Sequence, residues 1–437
     1  MVKSVIILAG LLFSAVVAVP SLPKREEGTL APLFTPPNAE VVPDQYIVVF
    51  KDQTPKEKIT CHHNVVRDMV TEERKEKRGF MAKLISGIRY TYDIKDFKGY
   101  SGRFSDDVLN KIRESDEVAY VERDQVVYSE EVQLNAPWGL ARISHRNALT
   151  FGTFNKYLYD STAGEGVTVY IVDTGVNINH TDFGGRAKWG TTVPDGDEDV
   201  DGNGHGTHVA GTVAGTRYGV AKKANIVAIK VLRSNGSGTM SDVIKGVEMV
   251  AEYHENESDN ARKSGKPFRG SVANMSLGGG RSKSLDAAVN GAVDVGVNFV
   301  VAAGNDNRDA CDSSPAAAEN AITVGASTIE DERAWFSNYG RCVDVFAPGK
   351  DILSAWIGSN TATNTISGTS MASPHVAGLA AYLLGLKPEF TSDFVTSPPS
   401  PKQVTDWIVK HATPGRLEKI PSNTPNLLVF NEFDAQA

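Results

Sequence analysis

The chain has 437 residues, of which 41% are hydrophobic and 22% charged, and its formal net charge is -8. A single core stops growing at roughly 250–300 residues, so this length suits one small domain followed by a larger one. Mild acidity without a long basic stripe argues against a nucleic-acid partner, and three cysteines in so long a chain exclude a disulfide-stapled miniprotein.

Lys3 and the apolar run from Val5 to Val19 read as an export signal over residues 1–18, with Val16 and Ala18 as the small residues of a cleavage site. The alternative is an N-terminal membrane anchor, for which the run is short. No later stretch is apolar enough to span a bilayer, so no membrane association is expected once the signal is removed. Residues 20–45 are rich in Pro, Glu and Ala and read as a flexible leader carrying a dibasic Lys24-Arg25 pair.

Residues 46–128 read as a small α+β unit. Gln45 to Phe50 is a strand by its β-branched and aromatic content. A charged helix is expected from Pro55 to about Lys77, and further strands over Gly87 to Tyr92 and Tyr100 to Phe104. Ser105 should cap a helix from Asp106 to Glu114, and Val118 to Tyr128 closes the unit as a strand.

From about Asn135 apolar runs alternate with helical segments. Strands are expected at Val167–Val172, Asn225–Leu232, Val272–Ser276, Val297–Ala302 and Ala321–Gly325. Helices are expected at His208–Ala214, Met240–Tyr253 and Ser284–Val295. Strands buried on both faces and separated by helices predict an α/β fold, a parallel central sheet with helices on both sides. After a Pro- and Ser-rich stretch a short helix leads to a last strand, Pro425 to Phe430.

Three segments place a polar residue at a strand end or helix start, where sites form in open α/β sheets. They are Tyr170-Ile-Val-Asp-Thr-Gly175, Asp201-Gly-Asn-Gly-His-Gly-Thr-His-Val-Ala-Gly211 and Ser367-Gly-Thr-Ser-Met-Ala-Ser-Pro-His-Val-Ala-Gly378. A serine hydroxyl is a poor nucleophile unless a base takes its proton and a carboxylate orients that base. Singly, an Asp after a strand is a turn former and a Ser before a helix is a cap. In this order and with these surroundings, Asp173, His205 and Ser370 read as one catalytic triad.

These segments resemble the signature motifs of the subtilase family, over about Pro137 to Phe430. Within it the chain resembles the proteinase K branch and its fungal vacuolar, cerevisin-type endopeptidases, through Pro137-Trp-Gly-Leu-Ala-Arg-Ile-Ser-His145 and Val231-Leu-Arg-Ser-Asn-Gly-Ser-Gly-Thr-Met-Ser-Asp242. The resemblance implies a subtilisin-like fold at 132–431 and a broad-specificity serine endopeptidase acting on proteins and peptides as a monomer. It implies that Asn305 donates to the oxyanion. Ser276, Leu277, Gly278 and Gly279 on one edge and Gly236, Ser237 and Gly238 on the other are expected to hold an extended substrate, with Gly304 near the primary pocket. Residues 19–131 would be a propeptide acting as an intramolecular inhibitor, removed by self-cleavage between about Tyr128 and Asn135, and 432–437 a short tail. The chain departs from its branch at Val209, where relatives of this type carry a cysteine beside the helical histidine.

Cys311 and Cys342 fall in the same domain and are expected to pair, leaving Cys61 free; three unpaired thiols are the alternative. His208 and His375 read as packed helical residues, since the His-Glu-x-x-His zinc pattern is absent. Asp197, Asp199, Asp201 and Gly202 begin like an EF-hand, but position twelve is His208 rather than a glutamate, so that reading is rejected. No cofactor is expected for catalysis. Resemblance to proteinase K implies a structural calcium on Asp344 with carbonyls near Glu319 and Ala321; a solvated Asp344 is the alternative. Sequons stand at Asn179, Asn235, Asn256 and Asn274, with Asn256 the best placed for a glycan. The signal sets a secretory route, with the vacuole favoured over the extracellular space. Competing readings are a kexin-like processing protease, against which Leu277-Gly278-Gly279 argues, and a catalytically inactive binding protein.

Overall fold

The computed structural model describes residues 30–35, 41–76, 87–95, 97–125, 130–386 and 398–433. The expected export signal, the Lys24-Arg25 pair and the last residues of the expected tail lie outside the described residues. The chain divides into two compact units, Met1–Val126 and Val127–Ala437.

In the first unit the strands are β1 (Leu33–Phe34), β2 (Val41–Phe50), β3 (Gly87–Ile94), β4 (Phe97–Arg103) and β5 (Val118–Gln125), and the helices α1 (Lys56–Glu76) and α2 (Asp106–Glu114). The sheet order is β1-β5-β2-β4-β3, antiparallel except where β1 joins β5. Period-two alternation sends Tyr46, Val48 and Phe50 inward, where they meet Val66 and Val70 of α1 and Val108 and Ile112 of α2. Ser105 caps α2 as its sequence suggests, accepting the N–H of Val108.

The second unit opens on a hairpin-like pair of strands. β6 (Glu130–Leu134) pairs antiparallel with β7 (Lys156–Asp160), with α3 (Trp138–Ile143) between them. The central elements follow as β8 (Thr168–Asp173), β9 (Ala187–Thr192), α4 (His205–Ala214), β10 (Asn225–Lys230), α5 (Met240–Ser264), β11 (Ser271–Met275), β12 (Gly279–Gly280), α6 (Lys283–Asp294), β13 (Val297–Ala302), β14 (Ser313–Ser314), β15 (Ile322–Ser327) and β16 (Val345–Pro348). A hairpin of β17 (Ile352–Ala355) and β18 (Thr363–Ile366) precedes α7 (Thr369–Leu386), α8 (Pro401–His411), β19 (Thr413–Pro414) and β20 (Leu427–Leu428).

Nine strands form the main sheet in the order β19-β20-β16-β15-β13-β11-β8-β10-β9, all parallel except β19. Helices cover both faces. Val209, Val213, Val376 and Leu379 of α4 and α7 fill one core, and Val247, Val250, Leu285 and Val289 of α5 and α6 fill the other. Buried on both sides, β8, β11 and β13 read as continuous apolar runs rather than alternating ones.

Two helices run longer than their apolar pattern suggests. α4 begins at His205 rather than His208, because side chains outside the helix take its first N–H groups: Asn203 that of His205, Thr174 that of Gly206 and Asp201 that of Thr207. α5 continues to Ser264 past a polar second half, held by a Thr239–Asp242 capping box at one end and Gly265 in the left-handed conformation at the other. The expected last strand shrinks to Leu427–Leu428.

One buried ion cluster ties the ends of this unit together. Arg142 of α3 is fully buried; its Nε donates to Asp331 Oδ1 at 2.6 Å, and Arg416 Nε donates to Asp331 Oδ2 at 2.9 Å. Removing one member of a buried pair leaves desolvated charge behind. Arg142→Met, with Arg416 still in place, is expected to lower unfolding stability by about 3 kcal/mol, read by urea denaturation of the Ser370→Ala protein; an unchanged midpoint contradicts it.

Candidate active site

β8 carries six buried residues in a row and ends on Asp173, which is fully buried. Its Oδ1 accepts from the backbone N–H of Thr174 and from His205 Nδ1, each at 2.7 Å. Its Oδ2 has no hydrogen-bond partner among the described residues. The turn leaving β8 is pinned by Lys230, in register with Asp173 on β10 and fully buried. Lys230 Nζ donates to the carbonyls of Thr174 and Leu232 at 2.8 and 2.9 Å and lies 3.4 Å from Asp197.

His205 is the first residue of α4. A Cβ on the next residue, Gly206, would overlap the carbonyl oxygen of Gly175, so only glycine lets the helix start approach the end of β8 closely enough for the Asp173–His205 bond. Burial pushes the imidazole pKa down, but the Asp173 carboxylate bonded to it and Asp201 behind it push it up by more, leaving it above its ordinary 6.5. With Nδ1 donating to Asp173, Nε2 is the basic nitrogen of the neutral ring.

Ser370 is the second residue of α7 and, with His205, lines one cleft of about 480 Å³. No hydrogen bond joins its hydroxyl to His205 Nε2; Oγ donates instead to the Ser276 carbonyl at 3.1 Å. Such contacts are often loose until substrate arrives, and a hydroxyl rotor moves freely. The Ser276 side chain holds the Ser370 backbone in turn: its Oγ donates to the Ser370 carbonyl at 2.8 Å and accepts from Asn274 Nδ2 at 2.8 Å.

Asn305 follows β13. Its Oδ1 accepts from both the N–H and the hydroxyl of Thr369, at 2.8 and 2.9 Å. With the oxygen so engaged, the amide orientation is set and Nδ2 is left as donor on a second cavity of about 360 Å³, which Gly278, Gly304 and Ser370 also line. The loop is braced by Asn338, itself fully buried. Its Nδ2 donates to the Ala303 carbonyl at 2.9 Å, and its Oδ1 accepts from the N–H groups of Asp306 and Arg308 at 3.0 and 3.1 Å. Gly304 sits at φ 102°, and a side chain there would strike the Asn338 amide.

Leu277, Gly278 and Gly279 face Gly236, Ser237 and Gly238 across the first cleft. Cys311 and Cys342 form the disulfide, and Cys61 is free and exposed. His208 and His375 are buried, with Nε2 on the Ile352 carbonyl and Nδ1 on the Met371 carbonyl respectively; burial holds each near pKa 4, so both stay neutral. Val209 is fully buried. Asn256 is exposed on α5, whereas Asn274 is fully buried in β11, closed to a glycan in the folded state.

Sequence reasoning missed Thr369, Asn338 and Lys230 and read Asp201 only as part of an acidic loop. Asp201, four residues before a helix-starting histidine in a glycine-rich run, carried a readable signal. Asn338 had none, because its work is done on backbone groups distant in sequence.

Residues 164–427 match the subtilase family and residues 45–130 match peptidase inhibitor I9. The chain is 56% identical over 414 residues to the subtilisin-like serine protease Pen c 2 of Penicillium citrinum, spanning 92% of this chain and 90% of that protein. It is 56% identical over 413 residues to alkaline protease 2 of Aspergillus fumigatus, spanning 92% and 83%. A crystal structure of a cold-adapted subtilisin-like serine proteinase superposes with a TM-score of 0.59 at 46% identity, covering 69% of this chain and all of that one. An α/β unit preceded by an inhibitor domain, with these matches over both, places the chain in the subtilase family of serine proteases, as a precursor with its own I9 propeptide.

Proposed function

We propose that Ser370, His205 and Asp173 are the triad of a broad-specificity serine endopeptidase, and the observation that carries this is the 2.7 Å bond from His205 Nδ1 to Asp173 Oδ1 beside the cleft that also holds Ser370. Ser370 Oγ attacks the scissile carbonyl as it leaves the Ser276 carbonyl and gives its proton to His205 Nε2. The imidazolium is stabilised by Asp173 and then protonates the leaving amine. Water repeats the sequence on the acyl-enzyme. Asn305 Nδ2 and the N–H of Ser370, in the first turn of α7, stabilise the tetrahedral oxyanion. The glycine-rich edges pair with an extended peptide through backbone bonds, and small walls at Gly278, Ala302, Gly304 and Ala316 leave room for many side chains.

The precursor is self-inhibited by its I9 domain, and Ser370 also cuts the chain behind that domain. Asp344, with the backbone carbonyls near Glu319 and Ala321, is the site of a structural calcium in this reading: burial pushes its carboxyl up to about 6, it accepts the Thr323 N–H at 2.8 Å, and it forms no ion pair with the described residues, so a divalent cation would offset its charge. A glycan on Asn256 and a vacuolar destination, with secretion as the alternative, belong to the same reading.

Two measurements test the triad directly. Ser370→Ala is expected to abolish fluorophosphonate labelling and to leave the precursor uncut when expressed alone; labelling or maturation of that variant defeats the assignment. Asn305→Leu is expected to lower kcat about 10²–10³-fold with little change in KM, measured on a peptide substrate. The pH profile has a fixed sign. Only neutral His205 accepts the proton, so kcat/KM should rise with pH through a midpoint above 6.5. The stability contributed by the Asp173–imidazolium pair runs the other way, fully present below 6.5 and lost as pH climbs past the raised pKa. A midpoint below 6.5 contradicts the electrostatics described for the site.

A further inference from the structure

The start of α4 has a gap in its own sequence. Its N-cap is Gly204, which has no side chain to bond the first N–H groups of the helix, yet that terminus must hold His205 against Asp173. Asp201 fills part of the gap from outside the helix, beside Asn203 Oδ1, which takes the N–H of His205 at 3.3 Å, and the Thr174 hydroxyl, which takes that of Gly206. It is nearly fully buried at 3% exposure and accepts five hydrogen bonds. Its Oδ1 takes the N–H groups of Asn203 and Gly204 at 3.1 and 2.9 Å and the Thr174 hydroxyl at 2.9 Å. Its Oδ2 takes the N–H and hydroxyl of Thr207 at 2.9 and 2.6 Å.

Thr174 makes this more than a cap. The same hydroxyl that donates to Asp201 accepts the N–H of Gly206 at 3.0 Å, and the backbone N–H of Thr174 holds Asp173 Oδ1 at 2.7 Å. One threonine thus joins Asp173, the N–H of the residue that follows His205 and the Asp201 carboxylate. Charge matters as well as geometry. A helix N-terminus carries roughly half a positive charge, which disfavours an imidazolium placed there. A buried carboxylate on that terminus cancels it.

Resting on the endopeptidase reading, we propose that Asp201 is a positioning residue of the triad. Through Thr174 and the α4 terminus it fixes His205 on Asp173, and its negative charge supports the imidazolium formed during proton transfer. The groups acting on His205 are Asp173 on β8, Asp201, and His208 one turn along α4, which is neutral; Lys230 on β10 is engaged with the Thr174 carbonyl and Asp197. The direction of the His205 shift, with Asp201 among the groups raising it, agrees with this arrangement.

The test is Asp201→Asn in the full precursor, with Thr174→Val and Thr207→Val as neutral companions that each remove one bond to the same carboxylate. In Asp201→Asn, kcat should fall about tenfold or more with KM within about twofold, as expected when an interaction serves the transition state. The acid limb of kcat/KM should also move to lower pH, because the imidazole loses a supporting charge. The threonine variants should lower kcat by a smaller factor and leave the acid limb where it is. An acid limb in Asp201→Asn that coincides with that of the unaltered enzyme overturns the electrostatic part, and an unchanged kcat overturns the proposal. If Asp201→Asn does not mature, unchanged kcat in both threonine variants overturns it instead. Failure of the unaltered protein to label with a fluorophosphonate would defeat the endopeptidase reading itself, a different result from any of these.

Discussion

A strand end and a helix start meet at Asp173 and His205, and the distance between them is set by main chain. Gly206 packs its bare Cα on the Gly175 carbonyl, so α4 lies as close to β8 as backbone allows. Everything else in the catalytic unit maintains that approach. The parallel sheet buries β8 on both faces and ends it at the edge where the loops gather. Lys230, reaching across from the next strand, ties down the turn that follows. Two buried carboxylates, Asp173 and Asp201, are accommodated there by backbone N–H groups, hydroxyls and one imidazole, without an arginine.

The opposite wall of the site is built on the same plan. Ser370 and Asn305 come from α7 and from the loop after β13, and each is oriented by neighbouring polar groups. Thr369 turns the Asn305 amide, Asn338 braces the loop that carries it, and Ser276 holds the carbonyl of Ser370. Preorganised donors of this kind need no rearrangement when charge develops, which is why such sites sit on rigid elements with a buried supporting layer.

Sequence made the chemistry legible and its support much less so. Asp173, His205 and Ser370 stand in long motifs whose glycines and small residues mark strand exits and helix entries, so both their elements and their proximity could be read. β13 was placed to the residue, because a run buried on both faces has sharp ends. The first turn of α4 lies ahead of its apolar pattern, since Asn203, Thr174 and Asp201 hold it rather than its own apolar face. α5 was stopped too early because its second half has no core to pack against. Asn338 and the Arg142–Asp331–Arg416 cluster were invisible: each acts on partners far away in sequence, and neither asparagine nor arginine announces burial.

Strand β11 carries a full modification signal, Asn274-Met-Ser276, with the asparagine sealed between β8 and β13 and its amide on the Ser276 hydroxyl. In a compartment that decorates such signals, a sugar attached to the emerging chain would have no space in the finished sheet. A decorated copy cannot close β11 against its neighbours or seat Ser276 beneath the nucleophile. In such a compartment folding and sugar transfer would compete for the same short stretch of chain, and only copies left undecorated at Asn274 could close the native sheet.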